Sequence, residues 1–300
     1  MKKAILICGA TASGKTKIAV QLAQKLKTQI ISADSVQVYK NLDIGAAKPT
    51  AEEQRQAKHH LIDIVSPFDN FSVAEYKNLC NNCLNTHFQD KIPIICGGTG
   101  LYFNSLIYNF DFSNVYCDEN LRAELDAYAN QHGNEALWGK LNEIDPETAQ
   151  NLHFNQRKRI IRAIEIYQLS GKKKSENEKY ERSDLQYLLI GLQIPREELY
   201  KRIDSRVDEM FQNGLLEEVQ SLQKLGLNKN HQSMQAIGYK ETLEFLENKI
   251  YMADMIEKIK QNSRNYAKRQ ITFFKKLPRI VWLENDENTA EKILQLYENK

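Results

Sequence analysis

Residues 9 to 16, GATASGKT, place Gly9, four free positions, Gly14, Lys15 and Thr16 in the order of a P-loop. In such a loop the backbone N–H groups wrap phosphate oxygens, a lysine adds charge and a hydroxyl is available to Mg²⁺. Gly9, Ala10, Thr11, Ala12, Ser13, Gly14, Lys15 and Thr16 are therefore the expected phosphate site, with Thr16 as the metal ligand. A phosphate site does not imply ATP hydrolysis. A hydrolase also needs an acid at the end of a neighbouring apolar strand, and the run IPIIC ends instead in Gly97, Gly98 and Thr99. Asp34, just after the apolar IISA, is the best-placed carboxylate. It suits a general base or a metal ligand, and the plainer alternative is an Asp that caps the next turn with Ser35.

Other reactive side chains read as structural. His59 and His60 are adjacent, so regular structure cannot point both one way, and a packing or hydrogen-bonding role is favoured over metal binding. Cys80 and Cys83 have CxxC spacing but fall in the helical stripe Val73, Tyr76, Leu79, Cys80, Cys83, Leu84, and with no second CxxC core thiols are favoured over redox or zinc chemistry. Basic residues gather in two places. Arg157, Lys158, Arg159 and Arg162 form one group; Lys260, Arg264 and Lys268 recur every four residues in the other. A repeated basic face suits a phosphate backbone, or is simply a solvated helix surface.

The elements that must position these groups alternate strand and helix. KKAILICG reads as a strand, and Ile18, Leu22 and Leu26 give the next segment a helical face, so the phosphate loop lies between strand and helix. QIISADS (29–35) and KIPIICGGTG (91–100) read as further strands whose polar ends fall where α/β ligands bind. From about residue 114 to 184 the pattern is helical, as expected of an insertion in an α/β core comprising residues 1–113 and 185–300. The strand LQYLLIGLQIP (185–195) follows a charged segment, 171–184, that reads as a surface loop. Then come a helix with Leu199, Ile203, Val207 and Met210 on one face and Arg202 and Arg206 on another, a long helix from about 251 to 276, and a last strand, RIVWLE (279–284). The fold class expected is α/β, a P-loop NTPase-like parallel sheet with a helical insertion.

The chain has 300 residues, 42% hydrophobic and 27% charged, with a net charge of +2 and five cysteines. These values fit a cytoplasmic enzyme with free thiols and exclude a membrane span or a disulfide framework. The net charge is too small to argue for nucleic acid on its own.

Eight segments in order, GATASGKT, ISADSVQVYKNLDIGAAKP, HHLIDIVSP, FSVAEY, PIICGGTGLY, RIDSRVDEM, QAIGYKE and YAKRQITFF, resemble the tRNA dimethylallyltransferases over nearly the whole chain. The resemblance implies transfer of a dimethylallyl group from dimethylallyl diphosphate to N6 of the adenosine 3′ of the anticodon, with Mg²⁺, by a monomer that binds the tRNA anticodon stem-loop. By matching, Asp34 is the base, Thr99 lies near the transferring centre, and Arg206 and Lys15 neutralise the diphosphate. Ser35, Val36 and Gln37 fall at the base-binding end. Arg122, Lys158, Arg159, Ile160, Ile161 and Arg162 are matched to tRNA contacts, as are Gln235, Gly238, Tyr239, Lys268, Arg269 and Gln270. Ala10 stands where the family usually has proline, and KRIIR (158–162) replaces a more usual Gln-Arg-Leu-Xaa-Arg. No counterpart of the zinc finger of some eukaryotic members is expected. The rivals are an adenylate dimethylallyltransferase, a P-loop kinase of the shikimate-kinase type and a nucleotide-regulated RNA-binding module.

Overall fold

The computed structural model describes residues 2–108, 118–176, 182 and 184–299. Residues 177–181 and 183 of the expected surface loop, and the expected domain boundary at 113/114, lie outside the described residues. The chain divides into two compact units, Met1–Ile107 with Ser183–Lys300, and Tyr108–Arg182.

The strands are β1 (Lys2–Gly9), β2 (Ile30–Ser32), β3 (His59–His60), β4 (Ile94–Gly97), β5 (Leu185–Gln193) and β6 (Val281–Glu284). The helices of the first unit are α1 (Lys15–Lys25), α2 (Ala51–Gln56), α3 (Val73–His87) and α4 (Gly100–Ile107). Those of the second are α5 (Glu119–His132), α6 (Asn134–Ile144), α7 (Pro146–Gln150) and α8 (Arg157–Ser170). The first unit resumes with α9 (Arg196–Gln212), α10 (Leu215–Lys224), α11 (Tyr239–Leu246), α12 (Met252–Phe274) and α13 (Thr289–Glu298).

All strand pairs of the first unit are parallel, in the order β3-β2-β4-β1-β5-β6. A parallel sheet is buried on both faces, which explains why β1 and β5 read as unbroken apolar runs. Ala4 to Cys8 and Leu189 and Ile190 are wholly inaccessible. Neighbouring β1 and β4 send their chains in opposite directions, β1 toward β2 and β4 toward β5. Their carboxyl ends thus open the crevice in which such sheets bind ligands.

Local chemistry sets the helix starts. Thr50 with Glu53 and Ser72 with Glu75 form reciprocal capping boxes at α2 and α3. On α9, Leu199, Ile203 and Val207 are buried as their spacing requires, whereas Met210 is only partly covered.

The second unit has its own core, with Leu125 of α5, Leu137 and Leu141 of α6, and Ile160, Ile161 and Ile164 of α8. One charge lies inside it. Glu165 is fully buried and meets Arg122 Nε at 2.8 Å, Arg162 at 2.5 Å and the Asp118 amide at 2.9 Å.

Candidate active site

The crevice is built from three chain segments. The first is the loop between β1 and α1. Ala12 (φ 60°) and Gly14 (φ 81°) both take left-handed backbone, which curls the loop; only glycine adopts that conformation without strain. Asn285, just past β6, donates to Ser13 O at 2.6 Å and packs so closely on Gly14 that a side chain there would collide with it. The Lys15 ammonium folds back on the loop, donating to Ala10 O at 2.6 Å and weakly to Ser13 Oγ at 3.5 Å. Thr16 is the second residue of α1 and half-buried.

The second segment follows β2. Asp34 Oδ1 accepts the Val36 amide at 2.9 Å and the Gln37 amide at 3.3 Å, so the carboxylate does cap its own turn. Its other oxygen is left for chemistry. Ser35 N donates to Thr99 Oγ1 at 2.9 Å, which ties this turn to the end of β4. Gln37 donates to Ala47 O at 3.1 Å and accepts from Ser32.

The third is the glycine turn after β4. A Cβ on Gly97 would sit 2.1 Å from Ala33 O, so only glycine lets β4 end against the Asp34 turn. Gln270 of α12 bridges this turn to the phosphate loop: its Nε2 donates to Gly98 O at 2.9 Å and its Oε1 accepts the Thr11 amide at 2.8 Å.

Arg206 completes the site from α9, donating to Thr11 Oγ1 at 3.2 Å and weakly to Ala47 O at 3.5 Å. Burial pushes the Lys15 ammonium below its ordinary pKa, and the positive charge of Arg206 adds to that while Asp34 opposes it. Burial likewise pushes Arg206 down against the pull of Asp34. Neither cation forms an ion pair with a carboxylate among the described residues. Two half-buried cations beside the amino-terminus of α1 make a site for an anion of high charge density.

Asp34 also acts on two phenols. Burial, with the carboxylate's charge added, pushes Tyr266 up to about 12 and raises Tyr102 further. Tyr266 lies within hydrogen-bonding reach of Thr99 and Gln270. Tyr102 stacks on Tyr76 with ring centroids 3.7 Å apart. Tyr102 is buried in the core with Tyr76, so of the two phenols only the half-buried Tyr266 is open to a planar base.

Asp34, Thr99, Lys15 and Arg206, predicted from separate segments, thus share one crevice. The residues matched to tRNA divide. Gln235, Lys268 and Arg269 are exposed in the first unit, and Lys158 and Arg159 in the second. Ile160 and Ile161 point into the core of the second unit, and burial withdraws them from any macromolecular contact. Arg122 and Arg162 hold Glu165. Gly238 is buried; Tyr239 is fully buried, and its hydroxyl donates to Glu218 at 2.6 Å and accepts from Ala46 N at 3.1 Å. Gln270 is buried between the two loops.

The basic repeat on α12 is also partly spent within the fold. Lys260 pairs with Asp208 at 2.7 Å and Arg264 with Asp204 at 2.5 Å, both acids of α9. Sequence reasoning passed over Tyr266, Asn285 and Glu218. Tyr266 stands one turn before Gln270 on α12, and Asn285 at the carboxyl end of a strand, so each carried a positional signal. Glu218, one of many surface acids in the sequence, carried none.

The family model described as IPP transferase matches residues 37–277. The tRNA dimethylallyltransferase of Acetivibrio thermocellus is 45% identical over 300 residues, covering 98% of this chain and 96% of that relative. The tRNA dimethylallyltransferase of Finegoldia magna is 47% identical, covering 98% and 95%. The crystal structure of full-length tRNA isopentenylpyrophosphate transferase from Bacillus halodurans is similar with a TM-score of 0.73 at 40% identity, over 100% of this chain and 95% of that one. A eukaryotic dimethylallyltransferase acting on tRNA gives a TM-score of 0.84 at 30% identity, over 99% and 78%.

Proposed function

The chain belongs to the tRNA dimethylallyltransferase family, and from that premise we propose how its crevice carries out the family's reaction. The enzyme transfers a dimethylallyl group from dimethylallyl diphosphate to N6 of adenosine 37 in tRNA, giving N6-dimethylallyladenosine and diphosphate. The observation that carries the mechanism is the pair of half-buried cations, Lys15 and Arg206, on a loop of phosphate-binding form.

The P-loop here holds a leaving group. As the allylic carbon–oxygen bond breaks, negative charge grows on the diphosphate, and Lys15, Arg206 and the amides at the amino-terminus of α1 stabilise it. No water-activating acid is needed, which accounts for Gly97 and Gly98 at the end of β4. The attacking N6 is a weak nucleophile because its lone pair is delocalised into the purine. Asp34 takes its proton through the oxygen not used by Val36 and Gln37 as the new nitrogen–carbon bond forms. Thr99, fixed by Ser35, sits between the base end and the diphosphate end. The adenine must leave the stacked anticodon loop to arrive there, and the half-buried Tyr266 offers it a surface.

A hard, mostly hydrated Mg²⁺ fits the donor present, because Thr16, half-buried at the start of α1, makes no side-chain hydrogen bond among the described residues. When bound with the diphosphate it supplies further positive charge to the leaving oxygens. Lys158, Arg159, Gln235, Lys268 and Arg269 are the exposed side chains assigned to the anticodon stem-loop. The enzyme is assigned to the cytoplasm as a monomer with a P-loop NTPase-like core. In support, Cys8, Cys80, Cys83 and Cys96 are buried thiols that form no disulfide among the described residues.

The test is a transfer assay with purified protein, Mg²⁺, labelled dimethylallyl diphosphate and either unmodified tRNA or AMP, with ATP plus tRNA as a control. Label in tRNA is the expected outcome. Label in AMP alone, or ATP consumption without transfer, would overturn it.

A further inference from the structure

His60, Cys83 and His87 converge at the edge of the sheet, and each offers a ligand atom within 4.8 Å of the others'. We propose that these three side chains bind one borderline-soft divalent cation of the Zn²⁺ type, which clips the edge strand β3 to α3. Cys83 and His87 are four residues apart and so share a face of α3. His60 comes from β3, across the chain segment 61–72. Two imidazoles and a thiolate, with the fourth position left to water, form a donor set that this class of cation accepts.

Gln29 supplies an outer partner. Its Oε1 lies 2.6 Å from His60 Nε2, and a carbonyl oxygen there accepts a ring N–H, which leaves the imidazole lone pair on Nδ1. A ligating histidine is ordinarily oriented in this way.

Before metal arrives Cys83 and His60 are neutral. Burial pushes the Cys83 thiol up to about 11, and the nearby charge of Lys58 pulls the other way. Burial, with His87, Lys58 and His59 adding to it, pushes His60 down to about 4. Binding therefore releases the thiol proton to solvent and forms a sulfur–metal bond, with no change in oxidation state. The rings of His60 and His87 are stacked, with centroids 4.6 Å apart and planes 24° from parallel. Lone pairs of stacked rings run side by side, so the stack must open. His87 is exposed and is the last residue of α3, and a turn of its side chain suffices. Lys58 eases formation of the thiolate but repels the cation, so this site binds more weakly than a closed four-ligand one.

Chelator-treated full-length protein titrated with Co²⁺ tests the proposal. The expected result is one equivalent bound, a near-ultraviolet band from thiolate-to-metal charge transfer, and loss of that band when Zn²⁺ displaces Co²⁺. Cys83→Ser should abolish the band. His87→Ala, at an exposed position that does not threaten folding, should weaken binding by at least about ten-fold and remove the rise in thermal midpoint that Zn²⁺ gives the parent. Absence of the band, or unchanged affinity in His87→Ala, would overturn the proposal.

Discussion

Gln270 accepts the Thr11 amide at 2.8 Å from a position 259 residues away, and the same side chain donates to Gly98 O at 2.9 Å. One buried amide therefore sets the distance between the phosphate loop and the end of β4. Gln270→Ala leaves both backbone groups unpaired, at about 1–3 kcal/mol each. The expected result is a fall in kcat/KM for dimethylallyl diphosphate on the order of 10- to 100-fold, read by steady-state transfer into tRNA. Gln270→Glu should be at least as damaging, since it sets a carboxylate against Gly98 O and beside the diphosphate. Wild-type kinetics in both variants would remove Gln270 from the site.

Lys15 and Arg206 lie half-buried together, so an anion that neutralises them should stabilise the folded chain. Inorganic diphosphate with Mg²⁺ at one hundred times its dissociation constant should add about 2.7 kcal/mol, seen as a rise of a few degrees in the unfolding midpoint. Arg206→Ala should lose most of that rise and raise KM for dimethylallyl diphosphate by roughly 10- to 100-fold, the value of a hydrogen bond to a charged group. Monophosphate should produce a smaller shift, because it bridges fewer of the donors.

Much of this site was legible in the sequence because its parts are local. A strand, eight loop residues and a helix define a phosphate site without reference to the rest of the chain. Apolar runs ending in Asp34 and in Gly97 and Gly98 locate the strand ends, and the parallel sheet then brings those ends together. What was not legible depends on distant pairing. Nothing in QAIGYKE shows that Tyr239 is turned inward onto Glu218, and nothing in the four-residue basic repeat shows that Lys260 and Arg264 neutralise acids of α9. Nothing in KRIIR shows that Ile160 and Ile161, matched to tRNA with their neighbours, are turned into the core of the second unit. Side-chain type marks chemistry; its partner decides whether that chemistry faces outward.

Asp34 accepts two backbone amides through one oxygen, so Asp34→Asn can keep the turn through its carbonyl oxygen while losing basicity. Transfer should fall on the order of 10²- to 10⁴-fold, with tRNA affinity, measured by filter binding, changed less than two- or three-fold. Asp34→Ala loses the turn as well and should also abolish transfer. A variant with Asn at this position that retains the full rate would show that another group takes the N6 proton.

Glu218 gathers the loop that supports Arg206. Its carboxylate accepts the amides of Asp43 at 2.9 Å, Ile44 at 2.8 Å and Gly45 at 3.2 Å together with the Tyr239 hydroxyl, and Ala47, two residues further, accepts from Gln37 and Arg206. Tyr239→Phe removes one bond to Glu218 and one to Ala46 N without changing the packing. It should cost about 1–2 kcal/mol in chemical denaturation and raise KM for dimethylallyl diphosphate by a few-fold, with little change in salt-dependent tRNA binding. A defect confined to tRNA affinity would return Tyr239 to the nucleic-acid surface.

Glu165 links stability of the second unit to pH. Burial alone would raise its pKa, but Arg122, Arg162 and the Asp118 amide outweigh burial and hold the carboxylate below its ordinary 4.5. A carboxylate depressed in the folded state adds stability that is complete above its unfolded value and is lost as pH falls through that value toward the folded one. Denaturant unfolding should therefore show a stability term that is flat from neutral pH down to about 5 and declines below about 4.5. Glu165→Gln should remove that decline and lower stability at pH 7 by about 1–3 kcal/mol, less than for a pair sealed from water, because Arg122 and Arg162 both reach solvent and can be rehydrated. An unaltered pH profile in the variant would mean that acid destabilisation arises elsewhere in the chain.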